Sequence, residues 1–223
     1  MTPITTRLIH PHRFDGQVMV VTGAAQGIGR GVALSAAEEG AHVVLADRSE
    51  LVHEVAGEIR ALDRKALVVQ TDLETYAGAH TLALAAQKAF SRIDVLINNA
   101  GLSMRALIIE SETSAYKRLM DVNFWGTVYA TKAALPHIIQ RKGSVAGISS
   151  IVGNRGIPGR SAYSASKFAM QGWLEALRVE MKDHGVNVLW VSPGFIATNI
   201  RTTALNGEGK PIGETPMDES KLM

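Results

Sequence analysis

The sequence predicts an α/β fold, a Rossmann-like doubly wound parallel sheet in a single domain. Three observations predict it. Short runs of β-branched and other apolar residues alternate with longer segments in which apolar residues recur at helical spacing. The short runs are mostly apolar on both faces, as parallel strands covered by helices require. The length of 223 residues, 46% of them hydrophobic, suits the core of one such domain.

The predicted elements alternate along the chain. Strands are predicted at Val18–Thr22, His42–Ala46, Ala66–Gln70, Ile93–Ile97, Ser144–Ile148 and Val186–Val191. Helices are predicted between and after them at Ile28–Glu39, Glu50–Leu62, Tyr76–Ser91, Ala115–Gln140 and Ala162–His184. Right-handed connections of this kind place ligands beyond the carboxyl ends of the strands.

Composition excludes several classes of function. The chain has no cysteine, which rules out disulfides, thiolate catalysis and cysteine-ligated metals. The net charge of +2 comes without a block of like charges, so we expect neither a nucleic-acid nor a membrane partner. No signal peptide or membrane span is evident, and we expect a cytoplasmic protein without a bound metal.

A glycine-rich turn joins the first predicted strand to the first helix. It reads Thr22-Gly23-Ala24-Ala25-Gln26-Gly27-Ile28-Gly29. Glycines permit a tight turn and a close backbone approach, so amide groups at the positive helix end can face a pyrophosphate. The spacing differs from the common dinucleotide fingerprint, and a turn that needs glycine only for packing is the alternative.

An acidic residue ends the second predicted strand. Asp47 lies 18 positions after Gly29, about where a carboxylate would accept hydrogen bonds from the adenosine ribose hydroxyls. A carboxylate there would repel a 2′-phosphate, which favours NAD over NADP. Arg48 is adjacent and could turn toward a phosphate, so NADP stays open, and a solvated loop acid is the other interpretation of Asp47.

A tyrosine and a lysine lie four residues apart at the start of the last predicted helix. This spacing puts the Tyr163 phenol and the Lys167 ammonium on one helix face. A phenol is a poor base near neutral pH, with a pKa of about 10, and a nearby ammonium and an oxidised nicotinamide would lower it. Tyr163 could then exchange a proton with an alcohol or ketone. Taken alone, such a pair is also common on helix surfaces.

Seven landmarks taken together resemble the short-chain dehydrogenase/reductase family of the single-domain type. They occur in the family's order over about residues 14–201: the turn from Thr22 to Gly29, Asp72, Asn98-Asn99-Ala100-Gly101, Asn123, Ser149-Ser150, Tyr163 with Lys167, and Pro193-Gly194. The N-terminal half is similar to bacterial dihydrodiol (benzoate diol-type) dehydrogenases. The later half looks more like the branch that acts on steroid-like, lipid or other carbonyl compounds.

The resemblance implies four catalytic residues. Tyr163 is then the general acid/base, and Lys167 holds the nicotinamide ribose and lowers the tyrosine pKa. Ser150 orients the substrate oxygen, its alternative role being a local backbone bond. Asn123, expected inside a long helix where asparagine is mildly unfavourable, holds a water that relays protons from Lys167.

The resemblance also implies the cofactor contacts. Asp72 faces the adenine with Leu73 beside it, and the segment after the last strand contacts the nicotinamide. The full predicted cofactor set is Gly23, Gln26, Gly27, Ile28, Gly29, Asp47, Arg48, Asp72, Leu73, Asn99, Ala100, Gly101, Tyr163, Lys167, Pro193, Gly194, Ile196 and Thr198.

We expect three regions: a flexible leader at residues 1–13, a dinucleotide-binding and catalytic domain at 14–205, and a loop-like or truncated tail at 206–223 that lacks the family's usual last strand. The family implies a homodimer or homotetramer. The leading function is interconversion of a secondary alcohol or dihydrodiol and a ketone. The alternative is a catalytically impaired or regulatory dinucleotide-binding protein, and an epimerase or dehydratase is disfavoured by the glycine spacing and the chain length.

Substrate specificity is expected from three segments. They are 102–109, 151–160 and the stretch after Thr198, in which small or apolar side chains predominate. Such a lining favours a modest hydrophobic alcohol or carbonyl compound.

Overall fold

A computed structural model describes residues 9–213 of the chain. Its strands are β1 (Val18–Thr22), β2 (His42–Asp47), β3 (Ala66–Gln70), β4 (Val95–Asn98), β5 (Ser144–Ile148) and β6 (Asn187–Val191). Its α-helices are α1 (Gly27–Glu38), α2 (Val52–Ala61), α3 (Tyr76–Phe90), α4 (Thr113–Leu119), α5 (Gly126–Arg141) and α6 (Ser161–Glu180). The predicted parallel α/β architecture is confirmed.

The six strands form one parallel sheet in the order β3-β2-β1-β4-β5-β6. Strand β1 pairs with β2 on one side and with β4 on the other. The chain order therefore reverses between β1 and β4, and the loops after these two strands diverge. A crevice at such a switch point is where sheets of this type bind ligands.

Each face of the sheet has its own apolar core, because successive strand residues point to opposite faces. Val18 and Val20 pack with side chains of α3, α5 and α6. Met19 and Val21 pack with side chains of α1 and α2 on the other face. Both faces of the central strands are thus covered, which explains their continuous apolar runs.

The single long helix predicted at 115–140 is wrong in its middle. A π-helical segment, Met120–Trp125, separates α4 from α5. Such a segment contains one extra residue per turn, which apolar periodicity does not reveal. The last predicted helix also ends earlier, because a short 3-10 turn follows α6 at Lys182–His184.

The predicted leader and tail are described in part. Residues 1–8 and 214–223 lie outside the described residues. The backbone amide of His10 donates to Glu39 Oε1, and the Arg13 side chain pairs with the same carboxylate. Residues 206–213 form turns against the loop after β4, as in the hydrogen bond from Glu112 N to Gly207 O. Within residues 9–213, no helix combines the length and apolar character needed to cross a bilayer.

Candidate active site

The turn between β1 and α1 requires its glycines. Gly23 and Gly27 have φ values of +63° and +56°, a region that other residues rarely adopt. A Cβ on Gly23 would lie 2.8 Å from the Ala100 Cα, and one on Gly29 would collide with the Gly23 carbonyl oxygen. Gly29 therefore serves the close packing of helix on loop.

The N-terminus of α1 is open to an anion. The Gln26 side chain makes no capping hydrogen bond, and the first turn contains no acidic residue. Gln26 Oε1 instead accepts a hydrogen bond of 2.8 Å from Asn199 Nδ2. The first-turn amides can thus donate to an added phosphate, which fits a dinucleotide.

Asp47 closes the same turn. Its two carboxylate oxygens accept hydrogen bonds from Ala25 N at 2.9 Å and from Ser49 N at 3.0 Å. Arg48 turns away from this carboxylate toward Glu74, at 3.1 Å, and Asp72, at 3.6 Å. Asp47 therefore lies at the end of β2 and lines the groove beside the glycine turn, while the adjacent arginine already has acidic partners. The contact of Asp47 with the ribose stays a prediction.

Thr22 and Asn99 join the loops after β1 and β4. The Thr22 hydroxyl donates to Ile97 O and accepts from the amides of Asn99 and Ala100 at 2.9 and 3.0 Å. The Asn99 side-chain amide donates to the carbonyl oxygens of Thr22 and Gly23. These hydrogen bonds hold the glycine turn in its conformation. Asn99 therefore has a positioning role that the family landmarks alone did not specify.

A long groove of about 340 Å³ runs over these loops. Most predicted cofactor residues line it: Gly23, Gln26, Gly27, Ile28, Asp47, Arg48, Asp72, Leu73, Asn99, Ala100, Gly101 and Thr198. A narrow crevice of about 90 Å³ continues it and is lined by Pro193, Gly194, Ile196, Tyr163 and Lys167, together with Ser150. Gly29 lines neither the groove nor the crevice. The residues present form a continuous cradle of the shape and donor character that a dinucleotide needs.

Three of the four predicted catalytic side chains meet at the narrow crevice. Lys167 is buried, and its Nζ donates to the Ile148 carbonyl oxygen at 2.7 Å while lying 5.8 Å from the Tyr163 ring centre. Ser150 Oγ accepts a long hydrogen bond of 3.4 Å from Val152 N, which is the predicted alternative role of this serine. Ser150 also lines the crevice beside Tyr163.

Burial dominates the electrostatics of the Tyr163 and Lys167 pair. Burial raises the pKa of Tyr163, and hydrogen bonding to Ser150 and the positive charge of Arg160 oppose this only in part. Burial lowers the pKa of Lys167 to about 8. In the protein without cofactor, the tyrosine is therefore held neutral, and the lowering of its pKa by Lys167 together with an oxidised nicotinamide stays a prediction.

Asn123, the fourth predicted catalytic residue, is fully buried in the π-helical segment. Its Oδ1 accepts from Leu102 N at 2.7 Å, and its Nδ2 donates to Leu102 O and Ser166 Oγ, both at 2.9 Å. A Cβ on Gly101 would lie 3.1 Å from Asn123 Oδ1 and 3.6 Å from Lys167 Nζ. Asn123 thus ties the loop that follows β4 to helix α6.

An arginine-lined cavity of about 600 Å³ opens on the other side of Tyr163. The three segments expected to set specificity do line it, but with Arg105, Arg160 and Arg201 as well as apolar residues. Sequence reasoning missed these arginines because they lie far apart in the chain, among small and apolar neighbours. The three arginines share one feature that the sequence could have shown. Each lies in a loop after a predicted strand whose carboxyl end is at the site.

Comparisons with known proteins place this geometry in a family. Residues 17–209 match the family model described as short chain dehydrogenase. The chain is 41% identical over 205 residues to dehydrogenase/reductase SDR family member 7B of Mus musculus, covering 88% of this chain and 62% of that protein. It is 42% identical over 185 residues to 1,6-dihydroxycyclohexa-2,4-diene-1-carboxylate dehydrogenase of Acinetobacter baylyi, covering 82% and 70%. The chain spans 62% to 66% of the length of its vertebrate member 7B relatives.

Solved structures of similar fold include two complexes with NAD. A short-chain dehydrogenase/reductase from Burkholderia phymatum matches with a TM-score of 0.81 and 30% identity, over 84% of this chain and 69% of that one. Carveol dehydrogenase from Mycobacterium avium matches with a TM-score of 0.82 and 26% identity, over 86% and 75%. Both were crystallised in complex with NAD.

Proposed function

The chain belongs to the short-chain dehydrogenase family, and from that premise we propose that it interconverts a secondary alcohol or dihydrodiol and a ketone with NAD(H). The observation that carries the proposal is the continuity of the site. The long groove fits a dinucleotide, and its far end is the narrow crevice where Ser150, Tyr163 and Lys167 meet. A reacting carbon placed there would lie beside both a proton-exchanging phenol and the cofactor.

The proton chemistry belongs to Tyr163. In the oxidation, the phenolate form of Tyr163, which the positive charges of Lys167 and of bound NAD would favour, takes the hydroxyl proton of the alcohol, and in the reduction the neutral phenol gives a proton to the carbonyl oxygen. When bound, NAD supplies the two-electron acceptor that takes hydride from the carbinol carbon, and NADH supplies the donor in reverse. The Ser150 hydroxyl holds the substrate oxygen and donates to the negative charge that develops on it.

Lys167 and Asn123 support this exchange in different ways. A lysine with a pKa of about 8 is mostly protonated at neutral pH and yields its proton readily, so Lys167 can hold a proton next to the tyrosine. Both donors of the Asn123 side chain are occupied by Leu102 and Ser166. We therefore propose a positioning role for Asn123 in place of the predicted water-holding role.

The geometry at Asp47 supports the proposed preference for NAD. A 2′-phosphate would meet a carboxylate there, and Arg48 would have to leave Glu74 and Asp72 to neutralise it. The repulsion by the Asp47 carboxylate and the loss of the Arg48 ion pairs both oppose NADP binding. Fluorescence titrations with NADH and NADPH test this, and tighter binding of NADPH would contradict it.

The catalytic role is tested by Tyr163→Phe, with Tyr129→Phe as the matched control outside the site. Both variants and the wild type are assayed against a panel of cyclic secondary alcohols, cis-dihydrodiols and ketones. We expect Tyr163→Phe to lose turnover by about 10²- to 10⁴-fold while binding NADH normally. Retained turnover would remove Tyr163 from the mechanism. NADH binding without turnover of any panel member by wild type would favour the alternative function, a catalytically impaired or regulatory dinucleotide-binding protein.

A further inference from the structure

Three guanidinium groups line the cavity beside Tyr163. Arg105 follows β4, Arg160 precedes α6 in the loop after β5, and Arg201 follows β6. Arg105 and Arg160 are half-buried and Arg201 is buried. Positive charge from three separate loops is therefore concentrated next to the residue that exchanges a proton with substrate.

Arg105 and Arg160 have no acidic neighbour in the described part of the cavity wall. Among residues 9–213, the side chains that line the cavity include no aspartate and no glutamate. The Arg105 Nη1 atom is buried without a hydrogen-bond partner in that range. Arg160 directs Nη1 to Ser103 Oγ at 2.7 Å and to Met104 O at 2.9 Å, which are neutral acceptors.

This arrangement is electrostatically unfavourable without an anion. Burial lowers the pKa of Arg160, the charges of Arg105 and Arg201 lower it further, and the Tyr163 phenol opposes this only in part. A half-buried cation that faces other cations is stabilised when a negative group enters the same space. The Arg105 guanidinium in particular offers donors in a planar fork that matches a carboxylate.

The rest of the wall is apolar. Ile157, Pro158, Phe195 and Ile196 line the same space, which has a volume of about 600 Å³. That volume accommodates a ring compound of ordinary metabolite size. The cavity thus combines an apolar surface for a carbon skeleton with a cationic corner, formed by Arg105, Arg160 and Arg201.

We propose that the substrate of this site carries a carboxylate, bound by Arg105 and Arg160, on the carbon skeleton whose hydroxyl or carbonyl group faces Tyr163. The inference rests on the proposed function, because it names the substrate class of the same site. Arg105 carries the larger share of carboxylate recognition, since Arg160 also holds the segment at Ser103 and Met104.

The test measures binding of benzoate and of its neutral analogue methyl benzoate by calorimetry, with and without saturating NADH. We expect benzoate to bind at least about tenfold more tightly than methyl benzoate, and its binding to weaken with added salt. Arg105→Gln should remove most of this preference, because Arg160 remains, and should leave methyl benzoate binding unchanged. Arg105→Lys should retain part of it, because the charge remains and the fork is lost. Arg155→Gln is the matched control, since Arg155 is exposed in the same loop as Arg160 and does not line the cavity.

The outcomes separate the two proposals. Equal binding of benzoate and methyl benzoate, no benzoate binding, or a preference as large in Arg105→Gln as in the wild type would each overturn the carboxylate assignment. Tighter binding of phenyl phosphate than of benzoate would assign the cationic corner to a phosphate ester and overturn it as well. Failure to bind NADH, with the benzoate preference intact, would contradict the proposed function alone.

Discussion

The buried ammonium of Lys167 should give the protein an unusual dependence of stability on pH. Its pKa is about 8 in the folded chain and 10.5 as the ordinary value. Between these values the unfolded chain binds more protons than the folded one, so the free energy of unfolding rises with pH across this window. Lys167 therefore destabilises the fold most below pH 8, and the destabilisation is relieved as the pH approaches 10.5.

The two pKa values set the size of the effect. At pH 7, burying the charged lysine lowers the free energy of unfolding by roughly 3 kcal/mol, and at pH 9 by roughly 2 kcal/mol. The Lys167 contribution should thus rise by about 1 kcal/mol between pH 7 and pH 9. Tyr163 does not obscure this change, because its pKa is raised from 10.0 and it titrates above the range.

The measurement is urea unfolding of wild type and Lys167→Met at pH 7 and at pH 9, without cofactor. The difference between the two proteins isolates the lysine, since all other groups titrate in both. Wild type should gain about 1 kcal/mol more than the variant over this interval. Lys132→Met, which removes an exposed lysine of α5, is the control for loss of a lysine elsewhere. An equal pH response in wild type and Lys167→Met would refute the buried-charge reasoning.

Three further predictions concern the groove and its support. Gly29→Ala should abolish NADH binding and lower stability, because the added methyl collides with the glycine turn, whereas Gly31→Ala on the same helix has open space and should be tolerated. Asn123→Ala should lower the free energy of unfolding by roughly 2 to 4 kcal/mol, since the three hydrogen bonds of this buried side chain are lost. Asn154→Ala is the exposed control. Asp47→Ser should raise the affinity for NADPH relative to NADH about tenfold, or ~1.4 kcal/mol.

For each of these three variants, one experimental result would contradict the prediction. Normal NADH binding by Gly29→Ala would mean that the turn relaxes and that its close packing is dispensable. A loss below about 1 kcal/mol in Asn123→Ala would show that its hydrogen bonds are replaced by water. An unchanged NADPH to NADH ratio in Asp47→Ser would mean that this carboxylate does not face the ribose.

The sequence predicted the framework well because local patterns determine it. The bounds of β1, β3 and β5 are confirmed, since each is a short apolar run flanked by turn residues. The glycine turn was recognisable because the connection from β1 to α1 has left-handed conformations at Gly23 and Gly27, and glycine is favoured at such positions. Asp47 lies at the groove for the same reason, because the end of β2 is adjacent to the end of β1.

What the sequence did not reveal depends on contacts between distant residues. The arginine-lined cavity forms only when the loops after β4, β5 and β6 meet, and no local pattern joins Arg105 to Arg160. The hydrogen bonds of Asn123 to Leu102 and Ser166 likewise cross between elements. The pKa of Tyr163 depends on its burial, which spacing along a helix does not determine.

The π-helical turn at Met120–Trp125 has a consequence for tolerance to deletions. Removing one residue there would let α4 and α5 merge into one regular helix, which is the more favourable local structure. The flanking helices would keep about the same relative orientation, because the π turn contains the one residue in excess of α-helical winding. The backbone path at residues 120–125 would change instead, and with it the position of Asn123 relative to Leu102 and Ser166. The irregular turn therefore places Asn123, and a change in chain length that improves the helix would disconnect the cofactor loop from the catalytic helix.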